Sequence, residues 1–233
     1  MHDEILKHTR RIKSEMKNTK HTLGEKIKEI FIEILIIGFA VSLSIWLHSW
    51  SEHNHQQKEV KEFLMDLKDD LKNDISNISK SKKELESNLK EYQFALDLTQ
   101  KQIDSLIAVQ GTIAFNSSIS TTKISNGNYE GFKSSGKIGY IENKTLKTKI
   151  LKYYQEQSLG LLENEKYNIK TFDKVLNILT DNADKTIDQI IVLPQFKQQL
   201  RLQTEQTLGL IDVYSYTLQK AQGLIDEIEQ ENK

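Results

Sequence analysis

One stretch near the start of the chain constrains everything else. Ile34 to Leu47 (ILIIGFAVSLSIWL) carries no charge, and Ile30–Trp50 contains only Glu33 and the titratable His48 as ionisable groups. At about 1.5 Å rise per residue, such a helix is about 30 Å long, the thickness of the hydrocarbon core of a bilayer. Trp46 and Trp50 lie one turn apart at its end, as expected of an interfacial aromatic belt. A cleaved signal peptide fits poorly. A head of nearly thirty residues precedes the block, and its exit, Leu47-His48-Ser49-Trp50, lacks the small-x-small cleavage pattern. The sequence therefore predicts a retained transmembrane helix over 29–50.

Basic residues orient it. Lys7, Arg10, Arg11, Lys13, Lys17, Lys20, Lys26 and Lys28 precede Glu29, whereas residues 51–70 hold only Lys58, Lys61 and Lys68 among six acidic residues. The positive-inside rule places the N-terminus in the cytoplasm and the larger C-terminal part in the periplasm or exterior. Residues 1–28 read as a basic amphipathic arm on the inner leaflet. With 32 Lys+Arg against 33 Asp+Glu the formal charge is −1, and no aromatic residues accompany the basic ones of the arm; no nucleic-acid partner is expected.

Within the span, Glu33 has no basic residue three or four positions away. Gly38 and Ser42 are spaced as small residues are where two membrane helices approach. Glu33, Gly38 and Ser42 are the candidate helix-association residues, and the lipid bilayer, a second copy and another membrane or envelope protein are the expected partners.

Beyond the span the pattern is helical. The chain has one proline and ten glycines, few for a turn-rich β fold. Val60, Leu64, Leu67, Leu71, Ile75, Ile78, Leu85, Leu89, Tyr92, Leu96, Ile103 and Leu106 follow three- and four-residue steps, with a stutter at Leu71–Ile75. This predicts a long helix over 51–110. A Gly/Ser-rich connection follows at 111–143, with a short helix near Tyr129–Ser134. Helices over 144–180 and 195–231 complete the chain, the last beginning beside Pro194. The fold class is all-α: one transmembrane helix continuing into an elongated antiparallel helical bundle or coiled coil of three long helices over 51–233.

Chemistry is sparse. No cysteine is present, which excludes disulfides, thiolate metal sites and a thiol nucleophile. Phosphate-binding glycine loops, nucleophile elbows and dinucleotide fingerprints are absent from the sequence, so no enzymatic activity, metal or cofactor is expected. On a continuous helix His48, Glu52, His55 and Glu59 share one stripe, a pattern that suits pH sensing or a metal shared across a dimer. The connection offers Tyr129, Ser135, Gly136 and Asn143. There Gly136 is expected at φ > 0, Asn143 is expected to cap the following helix, and the whole is expected to form a distal tip.

Glu33, the apolar span, Trp50-x-Glu52 and FLMDLKDDL at 63–71 together resemble a family of uncharacterised bacterial single-span membrane proteins. So do Tyr129, Ser134–Ile138, Ile141–Asn143, Leu146, Ile150 and Tyr153-Tyr154. The likeness covers about residues 30–155. Ile32 stands where the family has Gly, and His48-Ser49 where it has two Asn. The resemblance implies a bacterial membrane location and a helical ectodomain, with no assigned activity; with the charge flanks, the expected location is the bacterial inner (plasma) membrane, N-terminus cytoplasmic and C-terminal domain periplasmic. The expected function is an interaction or scaffold protein acting through its helical periplasmic domain. The alternative is a sensor passing a periplasmic signal to a separate cytoplasmic partner.

Overall fold

A computed structural model describes residues 23–115 and 119–231; of the side chains of 23–26 and 29 nothing is described. Most of the expected N-terminal arm therefore lies outside the described residues. All regular structure among them is helical: α1 (Leu23–Asp97), α2 (Gln100–Gln110), α3 (Gly127–Ser134), a 3-10 turn (Lys137–Tyr140), α4 (Lys144–Lys152), a π-helical turn (Tyr153–Gln157), α5 (Ser158–Asp181), α6 (Ile187–Ile191) and α7 (Pro194–Glu231). The chain divides into two units, Met1–His55 and Gln56–Lys233.

In the N-terminal unit the apolar stretch is helical and bare. A window of it has mean hydropathy 2.4, and none of that window is buried. Phe39 is 70% exposed and Ile36 63%. This segment is long and apolar enough to cross a membrane.

In the C-terminal unit the buried face of α1 keeps a cleaner rhythm than the apolar residues alone suggest. Val60, Leu64, Leu67, Leu71, Asp74, Ile78, Ser81, Leu85, Asn88, Tyr92 and Ala95 are buried, in strict steps of four and three. The stutter expected at Leu71–Ile75 is absent: Asp74 holds the inward slot, and Ile75 is only partly buried. One heptad position thus reads Asp74, Ser81, Asn88, polar throughout the middle of the helix.

The helix expected over 51–110 is interrupted. Leu98 turns into the core and Thr99, extended at φ −90° and ψ 157°, starts α2. The Gln102 side chain accepts from the Thr99 N–H at 3.0 Å, a capping-box contact. The Lys197 ammonium donates to the carbonyls of Leu96 (3.1 Å) and Leu98 (3.0 Å), covering the negative end of α1. Gly111 ends α2 in the left-handed region at φ +76°.

Chain direction departs most from expectation. Residues 119–126 have no regular structure and run back along α1: Ser120 Oγ donates to Ser81 Oγ (3.3 Å), Asn77 Nδ2 to the Lys123 carbonyl (3.2 Å), and the Ser125 N–H to Asp74 (2.6 Å). Gln57 Nε2 then donates to the Tyr140 carbonyl at 3.1 Å, so the connection ends beside the first residues of this unit. α4 and α5 therefore repeat the direction of α1, with Tyr153 on Asp74 and Phe172 on Tyr92 (centroids 5.9 Å). Among the long helices described, α7 runs against them: Asn168 donates to Thr207, and Lys68 pairs with Glu229. The first two long helical segments are parallel, not antiparallel. The 111–143 connection is a returning strap, not a distal tip.

Three apolar clusters follow one another along the unit. The first joins Val60–Leu71 with Tyr129, Ile141, Ile150, Tyr153 and Ala221–Ile228. The second holds Ile78, Leu85, Leu161, Leu210 and Tyr214. The third holds Tyr92, Ile103, Ile113, Phe172, Phe196 and Leu200. Each fully buried large apolar side chain contributes about 1.5–3 kcal/mol by leaving water.

Candidate functional site

The strap is fixed by two buried carboxylates. A segment without regular structure must still satisfy its inward N–H groups. Asp74, fully buried, accepts from the Ser125 N–H at 2.6 Å with Oδ1, and from the Tyr153 hydroxyl at 2.9 Å with Oδ2. Glu165, 4% exposed, accepts from the Thr122 N–H at 2.9 Å and from the Tyr214 hydroxyl. The two arrangements have the same logic: one carboxylate, one strap N–H, one tyrosine. They draw on α1, the strap and the π turn in one case, and on α5, the strap and α7 in the other.

Burial dominates the electrostatics. It raises the Asp74 pKa from 3.8 to about 6, against the lowering effect of the Ser125 and Tyr153 hydrogen bonds. Burial also raises Glu165, opposed by Tyr214 and Thr122. Both tyrosine hydroxyls are pushed well above their ordinary range, first by burial, so both act as neutral donors. Asp74 is therefore a buried carboxyl held above the ordinary carboxylate range, at about 6. Polar pairing continues through Asn168, Gln203 and Thr207, where Gln203 Nε2 donates to Asn168 Oδ1 at 3.3 Å.

The π turn explains how Tyr153 and Tyr154 both point inward. An extra residue in the turn widens it and re-aims two successive side chains. Tyr154 stacks on Tyr129 (centroids 4.4 Å), and Gln155 Nε2 donates to the Tyr129 hydroxyl at 2.8 Å.

The residues singled out in the connection fall in two places. Tyr129 is fully buried in the first cluster, a core residue and not an exposed contact. Gly136 has φ +77°, and the Asn143 side chain accepts from the Leu146 N–H at 3.1 Å, capping α4. Ser135 is exposed, and its hydroxyl donates to the Phe132 carbonyl at 2.8 Å. Phe132 stacks on Phe63 with centroids 3.9 Å apart, and Lys137 pairs with Glu59 at 2.7 Å. The connection is therefore anchored to the first turns of the unit.

In the N-terminal unit Glu33, Gly38, Ser42, Trp46 and Trp50 are all exposed. His48 Nε2 lies 3.9 Å from Glu52, both side chains largely exposed. His55 is exposed too, while Glu59 belongs to the C-terminal unit and is held by Lys137. No group of three or more His, Asp or Glu is placed to hold a metal among the described residues.

Asp74 and Glu165 escaped the sequence reading because charge on a charged helix reads as a solvated face. Their register was the available signal: Asp74 occupies the slot seven after Leu67, and Glu165 lies four after Leu161 and seven before Phe172.

Residues 31–202, more than half of the chain, match a family of unknown function, DUF6090. The chain belongs to DUF6090. The match runs well past residue 155, where the resemblance read from the sequence faded, and so takes in the strap, both buried carboxylates' helices and the start of α7. No curated protein and no solved structure matches the chain. The kinship seen in the sequence thus stands as membership of an uncharacterised family.

Proposed function

We propose that this DUF6090 protein is a single-pass protein of the bacterial inner membrane, with a cytoplasmic N-terminus and a periplasmic helical bundle, coiled-coil in its spacing, that serves as an interaction scaffold without catalysis. The observation that carries the reading is the wholly exposed apolar window of α1, flanked by basic residues mainly on its N-terminal side. A second unit with its own cores supplies a stable binding body. A homo-oligomer through the Gly38/Ser42 face, and another membrane or envelope protein as partner, complete the proposal.

The absence of cysteine makes the test clean, because a single introduced thiol is the only reporter. Ser134→Cys should react with an impermeant maleimide in spheroplasts, and Ser14→Cys only after permeabilisation. The reverse pattern would overturn the orientation, and recovery in the soluble fraction would overturn the span. Affinity capture after mild crosslinking should then bring down a stoichiometric envelope protein. Recovery of the chain crosslinked only to itself moves the reading to the sensor alternative. One observation favours that alternative: Asp74, with a pKa of about 6, pins the strap to α1. Its test is whether strap protection from hydrogen exchange changes between pH 5 and pH 7.5.

A further inference from the structure

A groove on the surface of the C-terminal unit has the chemistry of an anion site. It lies between α4 with its π turn and the antiparallel α7, and has a volume of about 470 Å3. Lys149, Lys152 and Lys220 line it, with the amides of Gln157 and Gln219 beside them. Glu227 is the carboxylate of the lining, and its charge is already met by Lys149. Lys152 and Lys220 have no carboxylate partner among the described residues. Lys220 instead rests its ammonium 4.8 Å from the centroid of the Tyr216 ring, which is half exposed. Leu224 and Gly223 give an apolar floor. Two ammonium groups without counter-ions, from two helices, face one space that also offers neutral donors and an aromatic wall.

We propose that this groove binds a phosphate monoester. Lys152 and Lys220 neutralise the phosphate oxygens as point charges, Gln157 and Gln219 donate to them, and the Tyr216 ring and Leu224 receive the organic part of the ester. A carboxylate would leave one of the two ammonium groups unmatched, whereas a doubly charged phosphate matches both. The π turn widens α4's continuation at Gln157, so that this amide reaches the groove.

The test uses the full chain in phosphatidylcholine nanodiscs. Phenyl phosphate is titrated in one arm by calorimetry. In the other, phosphatidic acid is included in the disc, and its retention is read by native mass spectrometry. Saturable phenyl phosphate binding assigns a soluble phosphate monoester, and selective phosphatidic acid retention assigns a lipid phosphate monoester; either supports the site. Lys152→Gln and Lys220→Gln should each weaken binding about tenfold, the effect of losing one charge-assisted contact. Gly223→Leu should abolish it by filling the groove, since a Cβ there meets nothing within 4 Å and the added side chain starts in open space. Circular dichroism checks that each variant is folded. Absence of saturation in both arms, or binding undiminished in the three folded variants, would overturn the proposal.

Discussion

Replacing Asp74 with asparagine removes a buried charge and preserves its shape. The asparagine oxygen still accepts from the Ser125 N–H, and its amide turns the contact with the Tyr153 hydroxyl round, so that Tyr153 accepts. The folded pKa of about 6 against an ordinary 3.8 is a shift of about two units. At 1.36 kcal/mol per unit, the ionised carboxylate lowers stability at pH 7 by at most ~3 kcal/mol relative to its protonated form. The sign follows from proton binding. Between pH 3.8 and about 6 the folded state holds a proton that the unfolded state has lost, so this group's stabilisation is complete below pH 3.8 and disappears as pH rises through about 6. Asp74→Asn should therefore raise stability at pH 7 by ~1–3 kcal/mol, since the weaker neutral hydrogen bonds offset part of the gain. Its advantage should shrink to about zero at pH 4. Glu165→Gln should act in the same direction, because burial raises that group too. The assay is urea unfolding of the full chain in detergent micelles at four pH values from 4 to 7.5, followed by circular dichroism. The difference between wild type and variant isolates Asp74 from the exposed titrating groups. A variant less stable at pH 7, or a difference that does not change with pH, would refute the argument.

Three further substitutions test the packing by the same unfolding assay. Phe63→Ala removes a buried ring stacked on Phe132 and should destabilise by about 3 kcal/mol; a loss below about 1 kcal/mol would mean that the strap's end is not anchored there. Gly136→Ala places a side chain at φ +77° and should cost about 1 kcal/mol through backbone strain alone, since its Cβ meets nothing. Lys197→Met keeps the aliphatic stem and loses the ammonium on the Leu96 and Leu98 carbonyls. It should cost about 1–2 kcal/mol and speed hydrogen exchange in the last turn of α1, and unchanged exchange there would contradict the cap.

Local rules carried much of this far from the sequence. The apolar window, the start of α7 at Pro194, the left-handed Gly136 and the Asn143 cap each depend on a few neighbouring residues. The break at Leu98–Thr99 was legible as well, in the Thr99-x-x-Gln102 capping box, but the apolar rhythm ran through it, because periodicity reports a buried face and not continuity. The direction of α4 and α5 was hidden. A connection rich in Gly, Ser and Thr looks the same whether it turns at a tip or travels back, and only distant partners decide. Register marked Asp74 and Glu165 as inward, but their partners were hidden for the same reason: the N–H groups that make a buried carboxylate tolerable lie 51 and 43 residues away.

The returning strap has a kinetic consequence. Adjacent antiparallel helices can zip outward from their turn, as α5 and α7 can, joined by contacts such as Gln203 to Asn168 across 35 residues. α1 has no long antiparallel helix next in sequence; what returns along it first is the strap, without regular structure, from Ser120 on Ser81 across 39 residues. The contact of α1 with the π turn, Asp74 to Tyr153, closes a loop of 79 residues. Loop-closure entropy precedes any gain from those contacts. The order of assembly should therefore be α5 with α7 first and α1 last, and pulse-labelled hydrogen exchange during refolding in micelles should find the amides of Val60–Ala95 protected after those of α5. Simultaneous protection would mean that the strap docks on α1 before the rest of the unit collapses.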